Sequence, residues 1–258
     1  MLLTDKVALI YGAGGSVGGA VARTFAREGA RVCLAGRAQA PLDAVADEIR
    51  ANGATAEAAT VDAADEQAVE AHAADLVERA GRIDILFNAI GMQDVQGTPL
   101  TEMPLESFTQ PVEVAARTQF LTARAVGRRM AEQGSGVLLT ITAEPTPVEN
   151  LGGFGAGCGA IEGLWRGLAV ELGPYGVRAN VIRSAGSPDA PGVRAAIGVH
   201  AGDASPEQLA REFGRDTPLR RAALLAEVAD VAAMLASDRA SAMTAALVNV
   251  TCGAYIDV

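Results

Sequence analysis

Short apolar runs and amphipathic stretches alternate along the whole chain. Residues 6–12, KVALIYG, are a brief apolar run with β-branched members, which predicts a buried strand. A glycine-rich turn follows, and then GGAVARTFAREGA places Val21 and Phe25 at helical spacing. RVCLAGR (31–37) reads as a second strand and APLDAVADEIRANGA as an amphipathic helix, with Pro41 in its first turn and Gly53 beyond its end. AEAATVD, IDILFNAIG, GVLLTITA, VRANVIR and ALVNVTCG read as five further strands. Helical patterns separate them: DEQAVEAHAADLVERAG, a long one over 106–133 with an irregularity at Pro111, GGFGAGCGAIEGLWRGLAVEL, and LLAEVADVAAMLAS.

Seven strands alternating with helices predict an α/β fold of the Rossmann type. The sheet is a doubly wound parallel one, with helices on both faces, in three layers. All 258 residues read as a single domain, since no linker divides them. Connections are short except over about 184–220, rich in Pro, Gly, Ser and Asp, which reads as a loop that covers substrate.

Composition narrows the function. Half the residues are hydrophobic, enough for a sizeable core, while 31 acidic against 21 basic residues give a net charge of −10. That balance argues against a nucleic-acid-binding surface. Three scattered cysteines and two histidines offer no ligand cluster, so no metal site and no disulfide framework is expected. The N-terminal MLLTDKVALIYGAGG lacks a basic segment followed by a long apolar run, and no stretch reaches membrane-spanning length. A soluble cytoplasmic protein is expected, with no membrane partner. Lys6 is the only lysine, so no other position can supply a catalytic ammonium group.

GAGGSVG (Gly12–Gly18) sits where the first strand hands over to a helix. Backbone N–H groups and the helix dipole favour an anion there, and glycines let a phosphate approach closely. A dinucleotide site is expected, built from Gly12, Gly14, Gly15, Ser16, Val17 and Gly18. At the end of the second strand, where the adenosine ribose would lie, LAGR offers Arg37 and no acidic residue. An arginine accepts a 2′-phosphate and an acidic residue a free 2′-hydroxyl, so NADP(H) is expected over NAD(H).

These motifs are similar to those of the short-chain dehydrogenase/reductase family, over essentially the whole chain. YGAGGSVG resembles the family's TGxxxGxG, with Tyr11 for Thr and Ser16 for the middle Gly. FNAIG resembles NNAG, with Asn88 kept and Ala89 and Ile90 next; ELGPYGVRANVI and NVTCG resemble two later family segments. The resemblance implies that Asp62, with Ala63 beside it, meets the adenine amine, and that Asn88, Ala89 and Ile90 line the cofactor site. It also implies a small-molecule substrate, a homotetramer, and hydride transfer assisted by an Asn-Ser-Tyr-Lys tetrad.

Carried over residue by residue, the tetrad positions hold Ala115, Ala143, Phe154 and Cys158. A positioned general acid is worth roughly 10²–10⁴ in rate. Ordinary ketone reduction by the family's route is therefore not expected. An imine, an activated alkene or an unusually reactive carbonyl needs less help, with Phe154 packing a planar substrate. Glu144 and His200 are candidate proton donors; Glu149, Asn150, Gln93 and Asp94 lie on neighbouring loops. Cys158 is either a thiolate near a helix N-terminus or a small buried filler in the lysine's place. Two other functions stay open: an NADP-binding protein that has lost its chemistry, and a non-redox isomerase or cyclase.

The helix over the Phe154 segment is rich in glycine, although each glycine costs roughly 1 kcal/mol against alanine. Gly155, Gly159 and Gly163 share one face. That face suits close approach of a helix from another subunit, or contact with the chain's own sheet.

Overall fold

The computed structural model describes residues 1–143, 149–191 and 205–256. Seven parallel strands form one sheet in the order β3-β2-β1-β4-β5-β6-β7. They are β1 (Val7–Tyr11), β2 (Arg31–Gly36), β3 (Ala56–Thr60), β4 (Ile85–Asn88), β5 (Gly136–Thr142), β6 (Val177–Ser184) and β7 (Leu247–Val250). The order reverses between β1 and β4, which pair from Ala8↔Ile85 to Tyr11↔Asn88. Helices leave in opposite directions at such a switch point and open a crevice beyond the carboxyl ends of the strands.

Alternation along β1 shows how the layers arise. Ala8 and Ile10 point into one apolar core with α1 (Ser16–Arg27), α2 (Gln39–Ala51) and α7 (Leu225–Ala236). Val7, Leu9 and Tyr11 point into a second core with α3 (Glu66–Ala80), α4 (Leu105–Gln133) and α5 (Phe154–Leu172). Strands buried on both faces need near-continuous apolar sequence, which is why the pattern reads as runs. Helix ends follow local chemistry: the Asp65 side chain accepts from the backbone N–H groups of Gln67 and Ala68, and Gly81 ends α3 in the left-handed region.

Two expectations need correction. The stretch around 184–220 is not all loop, because Pro206–Phe213 form a helix, α6. Ser205 caps it reciprocally with Gln208, a signature visible in SPEQ but masked by the Pro, Gly and Ser around it. The Ala222 N–H donates to the Ala210 carbonyl at 2.7 Å, folding the end of this stretch back onto α6. Pro111 does not interrupt α4, which runs unbroken through it.

Candidate active site

α1 begins at Ser16 directly after β1, with no side-chain cap and no acidic residue in its first turn. Its first backbone N–H groups therefore remain available to an anion. Gly12 enters this turn at φ +75°, and a Cβ there would lie 2.5 Å from the Ala89 carbonyl oxygen. A Cβ on Gly18 would lie 2.3 Å from the Gly12 carbonyl oxygen. Glycine at 12 and 18 thus lets β1, β4 and α1 converge, and leaves the turn open toward the crevice.

That crevice is a cleft of about 860 Å³. Gly12, Gly14 and Gly15 line it beyond β1, Arg37 and Pro41 beyond β2, Asp62 and Ala63 beyond β3, and Ala89 and Ile90 beyond β4. Eight of the expected cofactor residues are thereby brought together around one cavity. Ser16 and Val17 open α1 beside it. Gly18 and Asn88 act from behind. Asn88 is fully buried; its amide donates to Thr122 Oγ1 at 2.8 Å, and its Oδ1 accepts from the Ile90 N–H at 3.1 Å. It fixes the turn that carries Ala89 and Ile90.

Arg37 is exposed and makes no hydrogen bond or ion pair with another described residue. The Asp62 carboxylate accepts from the Ala64 N–H at 2.9 Å, which holds the wall loop in place. Sequence reading missed the contribution of α4, whose Glu113, Val114, Arg117 and Thr118 complete the cleft. Their i, i+3, i+4 spacing was the available signal, but it does not say which face of a long helix meets a ligand. Arg117 bridges the two walls, donating from Nε to the Ala64 carbonyl at 2.7 Å. A dinucleotide fits this set of polar groups: free N–H donors at a helix start, a guanidinium without a partner among the described residues, and an exposed accepting carboxylate beyond β3.

The four positions carried over from the tetrad all belong to the second core. Ala115 and Cys158 are buried, while Ala143 and Phe154 pack at the edge of the same core. Cys158 makes a backbone hydrogen bond at Ala143, and burial pushes its thiol up. Its place in the second core agrees with a small buried side chain. Tyr11 is no proton donor either, since burial raises its phenol and its hydroxyl lies 3.3 Å from His72 Nδ1. Below Ala143, Glu162 and Arg183 form a two-pronged buried ion pair, with both contacts 2.8 Å. Thr142 Oγ1 reaches Glu162 Oε1 at 3.5 Å, so the pair ties β5, α5 and β6 together. The candidate donors Glu144 and His200 lie outside the described residues.

The glycines around Phe154 divide by purpose. A Cβ on Gly153 would meet the Phe108 carbonyl oxygen at 2.0 Å, and one on Gly157 would meet Met92 Sδ at 2.6 Å. These two let α5 close onto α4 and the loop after β4. Gly159, Gly163 and Gly167 have nothing within 4 Å of an added Cβ, so that face turns away from the chain's own sheet.

The family model described as Enoyl-(Acyl carrier protein) reductase matches residues 12–255. Levodione reductase of Leifsonia aquatica is 34% identical over 97% of this chain and 94% of its own length. L-rhamnose 1-dehydrogenase (NAD(P)(+)) of Azotobacter vinelandii is 31% identical over the full length of both. The crystal structure of levodione reductase superposes with a TM-score of 0.86 at 33% identity, covering 98% of this chain and all of that one. NAD+-bound xylitol dehydrogenase superposes at 0.84 with 27% identity, covering 98% of this chain and all of that one. With the cleft at the sheet's switch point and this likeness along its length, the chain belongs to the short-chain dehydrogenase/reductase family of oxidoreductases.

Proposed function

We propose that this chain is an NADP(H)-dependent oxidoreductase with a non-standard active site, acting on a small molecule whose reduction does not draw a proton from a Tyr-Lys pair. One observation supports the reading: a cleft at the sheet's switch point is lined by the glycine turn, Arg37 and Asp62, while the positions that the resemblance gives to the tetrad hold Ala115, Ala143, Phe154 and Cys158. The cofactor, when bound, supplies a hydride. The chain's residues do the rest. The N–H groups opening α1 hold the pyrophosphate, Arg37 the 2′-phosphate, and Asp62 the adenine amine.

In this reading Phe154, half-buried against the second core, packs a planar acceptor and excludes water. No oxyanion donor stands at the carried-over positions, and one such donor is worth roughly 10²–10³ in rate. Substrates that need none are favoured: an imine, an activated alkene or a reactive carbonyl. The described residues of the segment 184–220, α6 among them, cover the bound substrate in this reading. The outward glycine face of α5, with exposed Phe120 and Val170 on α4 and α5, supports assembly as a homotetramer. No helix among the described residues is long and apolar enough to cross a membrane. A cytoplasmic setting agrees with three free cysteines, two of them buried.

The test follows loss of reduced-nicotinamide absorbance with each cofactor against ketones, imines and activated alkenes. Turnover with NADPH on the latter two classes, and not on simple ketones, is expected. Tight NADPH binding without turnover of any acceptor would turn the reading toward a binding protein. Fast reduction of simple ketones would overturn the altered proton supply.

A further inference from the structure

The four arginines of α4 are not used alike. Arg124, Arg128 and Arg129 pair with Glu66 or Glu70 of α3. Arg117 is the one that lines the cleft, and it pairs with no carboxylate among the described residues; Glu113, one turn earlier on the same face, makes no ion pair with it. Its single bond runs from Nε to the Ala64 carbonyl at 2.7 Å. The N–H of that same residue donates to Asp62 Oδ1 at 2.9 Å. One residue beyond β3 thus ties down both a cation and a carboxylate, and all three residues line the cleft. Fixing Nε restrains a long side chain and leaves both terminal nitrogens and the flat faces of the guanidinium for a ligand.

Resting on the reading above, we propose that Arg117 is a second cofactor-binding arginine, and that it grips the adenine base and not the 2′-phosphate. Asp62, held on the same residue, is the acceptor for the base's amine, so the base comes to lie beside the Arg117 guanidinium. A guanidinium is planar and more weakly hydrated than an ammonium, and it stacks on aromatic rings. Arg117 is exposed in the empty cleft, where such a contact is weak. A base laid against it covers that face and moves the contact toward the desolvated limit, about tenfold in dissociation constant. The two arginines of the cleft then divide the work. Arg37 beyond β2 reads the 2′ position, in which the two cofactors differ. Arg117 beyond β3 takes the base, which they share. β3 is the edge strand of the sheet and lies three places from β4, so the contact is remote from the corner that holds Phe154.

The test titrates wild type, Arg117→Ala and Arg117→Gln with NADPH, NADH and ADP-ribose, by fluorescence for the first two and calorimetry for the third. Arg117→Ala should raise all three dissociation constants by one common factor, about tenfold, and leave the ratio of NADPH to NADH affinity as it was. Arg117→Gln keeps an N–H donor for the Ala64 carbonyl but has no cation. It should keep the wild-type melting temperature and bind as weakly as the alanine variant. If only NADPH is weakened, Arg117 holds the 2′-phosphate and its assignment to the base is overturned. If glutamine restores wild-type affinity, or if neither variant changes it, Arg117 only latches α4 to the exit of β3, and its binding role is overturned. Wild-type protein that binds none of the three ligands would overturn the dinucleotide reading itself, and this inference with it.

Discussion

Removing one guanidinium should separate the two nicotinamide cofactors. Arg37 stands at the end of β2, exposed, with no partner among the described residues and no acidic neighbour between Ala35 and Ala38. A charge-assisted hydrogen bond contributes about 1.5–3 kcal/mol when shielded, and an exposed ion pair about 0.2–1 kcal/mol. Arg37 is exposed, yet it borders a cleft closed on one side by Pro41 and Leu42. Two bonds to a 2′-phosphate in that half-shielded setting fall between these limits, at about 1.4–2.7 kcal/mol, roughly tenfold to a hundredfold in dissociation constant.

Wild-type protein should therefore bind NADPH at least tenfold more tightly than NADH. Arg37→Ala should abolish that preference by weakening NADPH alone, since NADH has no phosphate for the guanidinium to hold. Fluorescence titration with both cofactors measures it, and repeating the titration at raised ionic strength should shrink the NADPH advantage through screening. Equal wild-type affinities, or equal losses for both cofactors in Arg37→Ala, would refute the assignment.

Phe154→Tyr alone should gain little ketone reductase activity, whereas Ala115→Asn, Ala143→Ser, Phe154→Tyr and Cys158→Lys together should exceed the product of their single effects, because such groups act as a unit; steady-state rates on a ketone that the pocket admits decide it. Cys33, pushed up to about 12 by burial, and Cys158, also raised by burial, should resist a disulfide reagent at neutral pH, leaving Cys252 to titrate first. Rapid loss of Cys158 in the folded protein would restore the thiolate reading. Gly153→Ala should cost about 1–3 kcal/mol, since its methyl meets the Phe108 carbonyl, a backbone atom that cannot swing aside. Gly159→Ala should instead strengthen the isolated helix by about 1 kcal/mol and disturb only an oligomer packed on that face. Melting temperature and light scattering read the two variants apart.

The strand–helix alternation and the dinucleotide turn were legible early because both follow from local signals. Doubly buried strands need apolar runs, and a glycine turn between strand and helix marks where an anion can bind. Arg37 was legible for the same reason, since its place at a strand end fixes its place in the cleft. The α4 wall was not, because a helix of 29 residues presents several faces and periodicity does not choose among them. Nor was the structural duty of Asn88, whose bond to Thr122 joins residues 34 positions apart.

The glycines divide the same way. From sequence they were a single anomaly in a helix. In three dimensions, Gly153 and Gly157 admit a carbonyl and a methionine sulphur from other segments, while Gly159, Gly163 and Gly167 look outward. The sequence by itself determined the family and the fold, because residue identity and near-neighbour spacing suffice for each. Only the tertiary structure decided that Cys158 is buried and that Glu162 is matched by Arg183. Charge balance in a pocket depends on which distant segments fold against one another.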